Sequence, residues 1–259
     1  MKKLFAIFGL LMLFQTGFAQ KEKILNLQTF DERKLHFGYY LGMNYNSYKI
    51  NYLAEDDASI VIPPTPSEFF IDIKESVGFN LGFVVDYRLH KNINLRFEPG
   101  LMSNSKELTF YNEDYLNYPA YDGTTNPVRK ISSTFLHLPL LLKLSTDRLD
   151  NIRPYVIGGV SYDYNFSSNE KNKDDNYAGE FRTTTNNFMY EVGIGMDFYF
   201  YFFKFSPSIR GVFAINNELV RDENRIFETP VGGFEIEGPW TGPIDFFGTR
   251  GIYLNLTFE

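Results

Sequence analysis

Leu35-His36-Phe37-Gly38-Tyr39-Tyr40-Leu41-Gly42-Met43-Asn44-Tyr45-Asn46 is the stretch on which the fold turns. Its odd positions, Leu35, Phe37, Tyr39, Leu41, Met43 and Tyr45, are apolar or aromatic, while His36, Gly38, Gly42, Asn44 and Asn46 between them are small or polar. Successive side chains of a β-strand point to opposite faces, so period-two alternation predicts a strand with one greasy face.

The same grammar recurs seven more times. Val77, Phe79, Leu81, Phe83, Val85, Tyr87 and Leu89 alternate with Gly78, Asn80, Gly82, Asp86 and Arg88. Ile93, Leu95, Phe97 and Leu101 stand against Asn94, Arg96, Glu98 and Gly100, and Leu136, Leu138, Leu140, Leu142 and Leu144 against His137, Pro139 and Lys143. Val156, Val160, Tyr162 and Tyr164 face away from Gly159, Ser161 and Asp163. Phe188, Tyr190, Val192, Ile194, Met196, Phe198 and Phe200 oppose Glu191, Gly193, Gly195 and Asp197. Phe203, Phe205, Ile209, Phe213 and Ile215 oppose Lys204, Ser206, Ser208 and Arg210, and Ile252, Leu254, Leu256 and Phe258 oppose Tyr253, Asn255 and Thr257.

Connection lengths choose the architecture. Residues 90–92, 146–152 and 201–202 read as tight turns, whereas 53–75, 112–129, 167–186 and 218–247 are long, polar and rich in Asn, Asp, Gly and Pro. Short turns at one end and long loops at the other, with an even strand number, are the pattern of outer-membrane barrels. A soluble barrel would turn its greasy face inward. The expectation is an all-β, eight-stranded antiparallel transmembrane barrel of the OmpA/OmpX type over residues 35–259, with a narrow, wet, polar interior and a periplasmic entry segment at 20–34.

Composition agrees: 27 Phe and 18 Tyr but one Trp, with a mean hydropathy of -0.25 that alternation reconciles with a lipid-facing surface. The start, Met1-Lys2-Lys3 followed by an apolar run from Leu4 to Phe14 and small residues at Gly17 and Ala19, predicts a secretory signal peptide cut after Ala19. That run is too short for a spanning helix. Removing residues 1–19 deletes two lysines and no acid, moving the net charge from -7 to -9, which speaks against nucleic acid as a partner. With no cysteine there is no disulfide frame, lipidation or thiolate chemistry.

Ten charges fall on the inward face: Asp86, Arg88, Arg96, Glu98, Lys143, Asp163, Glu191, Asp197, Lys204 and Arg210, five of each sign. Their balance favours a salt-bridged lumen, with a transport or proton path as the alternative. A three-residue turn at 90–92 would set Asp86 opposite Arg96. His36, His90 and His137 do not converge on the outer rim, so no catalytic residue, metal site or cofactor is expected. Glu113-Asp114 and Asp174-Asp175 read as solvated loop acids rather than a calcium site.

Several strings carry a resemblance. Arg33-Lys34-Leu35-His36-Phe37-Gly38-Tyr39-Tyr40-Leu41-Gly42-Met43-Asn44-Tyr45, Gly78-Phe79-Asn80-Leu81-Gly82, Asn94-Leu95-Arg96-Phe97-Glu98-Pro99-Gly100-Leu101 and Leu138-Pro139-Leu140-Leu141-Leu142-Lys143 are similar to the PorT family of Bacteroidetes. So are Arg153-Pro154-Tyr155-Val156-Ile157-Gly158-Gly159, Tyr190-Glu191-Val192-Gly193 and Phe203-Lys204-Phe205-Ser206-Pro207. Residues 110–129 and 225–246 carry no family motif. The resemblance implies a component of the type IX secretion system, which exports proteins across the outer membrane and supports gliding in some members. Eight strands enclose too little space for a folded protein, so the implied role is accessory, beside other components of that system.

The ending resembles the signal read by the barrel-assembly machinery, through Leu254, Leu256 and Phe258. Deleting 254–259 is expected to abolish outer-membrane insertion, read as loss of the heat-modifiable band in outer-membrane fractions.

Overall fold

A computed structural model describes residues 24–52, 70–111, 128–173, 176, 179–222, 225–229, 232–236, 240–241 and 244–259. The expected signal peptide and both acidic loop pairs lie outside these residues. Twelve strand segments follow a short 3-10 turn at Phe30–Glu32: β1 (Leu35–Tyr52), β2 (Phe70–Glu75), β3 (Val77–His90), β4 (Ile93–Phe97), β5 (Gly100–Tyr111), β6 (Val128–Ser145), β7 (Ile152–Asn165), β8 (Asn186–Tyr199), β9 (Lys204–Ala214), β10 (Arg225–Thr229), β11 (Gly232–Ile236) and β12 (Ile244–Phe258).

Each neighbour pairs antiparallel, and β1 pairs with both β12 and β3, which closes the sheet. The wall has eight staves, because β2 with β3 and β4 with β5 are each one stave interrupted; β10 and β11 form a separate hairpin. At Glu98-Pro99 the ladder lapses because proline offers no N–H, yet the register is unchanged on either side, Val85 against Phe97 and Gly82 against Gly100. At Ser76 it does change. Glu75 pairs with Lys106 but Phe79 pairs with Ser103, so one extra residue bulges there and the inward parity switches.

The outer face is greasy, as alternation predicts: Phe37 is 66% exposed, Phe83 71% and Ile194 64%. On β1 this face runs from Leu35 to Tyr45 and then turns polar at Ser47, Lys49 and Asn51. Ten residue steps at about 3.4 Å, tilted by about 40°, make a band about 25 Å tall, the apolar height of a membrane barrel. The parts of β1, β2, β5, β6 and β12 beyond it stand clear of the bilayer. Among the described residues no helix is long and apolar enough to cross a membrane.

Three expectations change in detail. Strand extends into the connections 53–75, 112–129 and 218–247, as β2, the start of β6, the β10–β11 hairpin and the start of β12. The first turn holds two residues, Lys91 and Asn92, with a bulge between Arg88 and His90 that still delivers Asp86 opposite Arg96. The interior is also fuller than the polar, glycine-rich pattern implies. Tyr40, Leu141, Tyr155, Met189 and Tyr253 are buried there, and glycines make the room for two of the rings, Tyr40 and Tyr155. Gly82 and Gly100, paired across β3 and β5, make the space that the Tyr40 ring occupies. A Cβ added at Gly100 would strike the Tyr40 hydroxyl as well as the Leu81 carbonyl oxygen.

Gly100→Ala is therefore expected to lower stability by about 1–3 kcal/mol through overpacking. Urea titration in phosphocholine vesicles measures this, and adding Tyr40→Phe to the same chain should recover part of the loss.

Candidate functional site

The candidate site is the lumen, and it is a ladder of ion pairs running up the barrel. Alternation places its members: each inward residue on one stave meets the inward residues of its neighbours. Near the short-turn end, Arg96 of β4 donates through Nε to Asp86 of β3 at 2.9 Å and lies 2.5 Å from the Glu259 carboxylate and 3.4 Å from that of Glu98. Asn94 donates a further hydrogen bond to Asp86. Lys204 of β9 pairs with Glu259 at 2.7 Å, and Lys143 of β6 lies 2.7 Å from both carboxylate oxygens of Asp197, which also accepts from Ser206.

Higher up, Arg210 bridges Glu98 at 2.6 Å and Glu191 at 3.5 Å. His137 sits between two carboxylates, Nδ1 2.6 Å from Asp163 and Nε2 3.2 Å from Glu191. The Nδ1 contact is a hydrogen bond, while Nε2 lies within ion-pair distance of the second carboxylate.

Nine of the ten charges expected in the lumen are buried and paired in this way. Arg88 is the exception: it is half-buried at the end of β3 and donates to the backbone carbonyl of Asp31 instead of joining a carboxylate. Glu259 was not among the expected ten, although its place after Thr257 on the inward parity of β12 is visible in the sequence. Counting Glu259, six buried carboxylates face four lysines and arginines and His137.

Above the ladder the charges give way to a lumen that is partly apolar and partly lined by amides. Met102, Phe135, Met189, Val212 and Tyr253 form a buried apolar layer, and an asparagine belt lies on the β12–β1–β3–β5 wall. There Asn80 donates to Asn255 at 2.7 Å, Asn44 to Asn80 at 3.3 Å and Asn104 to Asn44 at 2.9 Å. Beyond it a second apolar cluster fills the long-loop end, where Phe181, Leu219 and Trp240 from the connections pack among Tyr48, Leu108, Phe110 and Phe247. Arg129 stacks over Trp240 at 4.6 Å and clasps Asn176 through Nε at 3.1 Å, and Asn176 in turn donates to Asp222 at 3.1 Å. In the same region burial raises the Glu218 carboxyl above its usual range, against the hydrogen bonds from Thr249 and the charge of Lys106.

The short-turn end is closed by the entry segment. Phe30 stacks on His36 at 4.4 Å beneath Lys204, and Asp31 accepts from the Tyr199 hydroxyl at 2.8 Å with Arg153 at 3.5 Å. Across the mouth Asn26 N–H donates to Asn151 Oδ1 at 2.9 Å, Asn151 Nδ2 donates to the Ile24 carbonyl at 2.8 Å, and Arg148 donates to the Leu27 carbonyl. Composition gave no signal for this clasp, because its partners come from staves far apart in sequence.

A closed ring with a lipid-facing band, a filled lumen and segregated loop lengths describes a bacterial outer-membrane protein, and the family model for the outer membrane protein beta-barrel domain matches residues 18–220. The chain belongs to that family. The outer membrane protein beta-barrel domain places it in the outer membrane, with tight turns on the periplasmic side and long loops outside. Among solved structures, OprG from Pseudomonas aeruginosa is similar at 12% identity, covering 87% of this chain and 96% of that one, with a TM-score of 0.41. AlkL, solved in lipid bilayers, covers 93% and 94% at 12% identity and a TM-score of 0.37. The outer membrane protease OmpT from Escherichia coli covers 87% and 95% at 10% identity and 0.33. The closed ring stands on its own pairings, and no side chain or activity is carried across from these proteins. No curated protein matches the chain.

Arg96→Met, which leaves Asp86, Glu98 and Glu259 without their common cation, is expected to lower unfolding free energy by about 3–5 kcal/mol. Urea unfolding in vesicles reads it, and Arg88→Met should cost far less.

Proposed function

We propose that this chain is a non-conducting accessory barrel of the type IX secretion system, acting in assembly or stabilisation of the export machinery rather than as its pore, and supporting gliding where that machinery drives it. The observation that carries the reading is the filled lumen: among the described residues the ion ladder, the apolar layer with its asparagine belt and the loop cluster succeed one another, each built of buried side chains. A barrel blocked in this way acts through its rims, loops and outer face. The resemblance to the PorT family supplies the system, through Lys34-Leu35-His36-Phe37-Gly38 and Phe203-Lys204-Phe205-Ser206-Pro207 above all.

In this reading the chain is not an enzyme and uses no cofactor. Its partners are outer-membrane lipid, the barrel-assembly machinery that reads Leu254, Leu256 and Phe258, and other type IX components. A second reading is a generic small outer-membrane barrel that acts in ligand or surface binding through its long loops, or in envelope integrity, without a secretion role. The buried loop contacts through Arg129, Asn176 and Asp222 favour it, because they fix the connections at the long-loop end.

Deleting the gene and measuring cargo in the culture medium separates the two. The first reading expects cargo retained in the periplasm and restored by the full-length gene. Unchanged secretion would overturn it and leave the second.

A further inference from the structure

The three periplasmic turns differ in chemistry. The β3–β4 turn is Lys91-Asn92, and the β6–β7 turn, residues 146–151, contains Asp147, Arg148 and Asp150. These two are tied together: Lys91 pairs with Asp147 at 2.9 Å, Asn92 donates to the same carboxylate at 3.1 Å, and Arg153 donates to the Lys91 carbonyl at 2.6 Å. Those contacts hold the Asp147 carboxyl below its usual range. The third turn, between β8 and β9, is Phe200-Tyr201-Phe202-Phe203. In the order of staves around the ring it lies diametrically opposite the β3–β4 turn.

We infer that this aromatic turn is a one-sided lipid anchor, seated at the headgroup level of the inner leaflet of the outer membrane, while the opposite periplasmic rim stays in water. Phe202 is 84% exposed, the most exposed large apolar side chain among the described residues, and Tyr201 is 71% exposed. Phe200 and Phe203 stack at 5.1 Å and Tyr201 meets Phe202 edge-on at 4.6 Å, so all four consecutive rings of the tip are paired within the turn.

The tip is continuous with the face that already meets lipid. Phe203 lies 6.1 Å from Phe258, which contacts Phe205 at 5.1 Å and Tyr39 at 5.4 Å. The nearest charges in sequence, Asp197 and Lys204, point into the lumen, where they pair with Lys143 and Glu259, so no outward charge of the turn separates tip from band. Rings of this kind favour an apolar surround. The backbone sets how deep they sit. Phe200 N–H donates to Phe203 O at 3.0 Å, but the backbones of Tyr201 and Phe202 make no hydrogen bond among the described residues, and hydrocarbon cannot satisfy them. Apolar rings on a backbone that needs donors and acceptors match the interface, where water and headgroups meet acyl chains. At the Lys91–Asp147 rim the exposed apolar side chains are the aliphatic Leu149 and Ile24, set beside an exposed ion pair and with no aromatic tip, so the anchoring is unequal around the barrel.

The test uses the single tryptophan. In a Trp240→Phe background, Phe202→Trp and Asn92→Trp variants are reconstituted into phosphatidylcholine vesicles containing lipids brominated at graded depths. The anchor predicts a blue-shifted emission from position 202 that is lost most strongly to lipids brominated near the headgroup and little affected by acrylamide. Position 92 should emit as in water and be quenched by acrylamide alone. Water-like emission from 202, unquenched by brominated lipid, would overturn the proposal. So would shielding of 202 that arises only in native membranes and not in pure vesicles, which would assign the tip to a protein partner. If Trp240→Phe fails to fold, Phe202→Cys in the otherwise cysteine-free chain, labelled with an environment-sensitive dye, gives the same two readouts.

Discussion

A backbone crossing hydrocarbon has to satisfy every N–H and C=O from within the protein, and that requirement closes this sheet. The seam is β1, whose one edge pairs with β12 from Tyr39 against Phe258 upward and whose other edge pairs with β3 from Leu35 against Tyr87. Everything else is arranged around that closure. The greasy residues have lipid to face, so they are free to point outward. The polar and small residues are left with a space narrow enough to be filled by side chains, and they fill it.

The ion ladder is best understood through register. Buried ion pairs add little net stability relative to apolar packing, because desolvation offsets most of the attraction, whereas breaking one leaves an expensive uncompensated charge. A slip of one residue on any stave would turn its inward charge into the bilayer and its outward aromatic into the lumen. Arg96, Arg210 and His137 each touch carboxylates from more than one other stave, so a misregistered stave strands several groups at once. The ladder thus selects one ring among many that backbone pairing alone would tolerate. At the periplasmic mouth the entry segment adds a contact that exists only after β3, the β6–β7 turn, β8 and β9 have been brought together.

Alternation made the staves, their inward faces and most of the ladder legible in the sequence, because lipid on one side and a filled lumen on the other keep the period at two. Legibility ends where the period breaks. The bulge at Ser76 turns Ile71 and Ile73 inward on the opposite parity from Gly78 and Asn80, so β2 reads as loop. The β6 and β12 extensions rise above the bilayer, where the outer face is polar and the apolar signal moves inside to Ile131, Ile244 and Phe247. Arg88 has the right parity for the ladder but stands too near the rim, where the Asp31 carbonyl takes it. The clasp and the loop cluster depend on contacts between residues far apart in the chain, which periodicity does not encode.

The central claim is that the lumen is closed, and ion flow tests it most directly. Purified full-length protein, inserted in planar bilayers in concentrated potassium chloride and checked for the folded, heat-modifiable form, should leave the membrane current at its baseline. Stable, repeated conductance steps that scale with salt would contradict the account, because they require a water-filled path past Arg96, Arg210 and the Met102–Tyr253 layer.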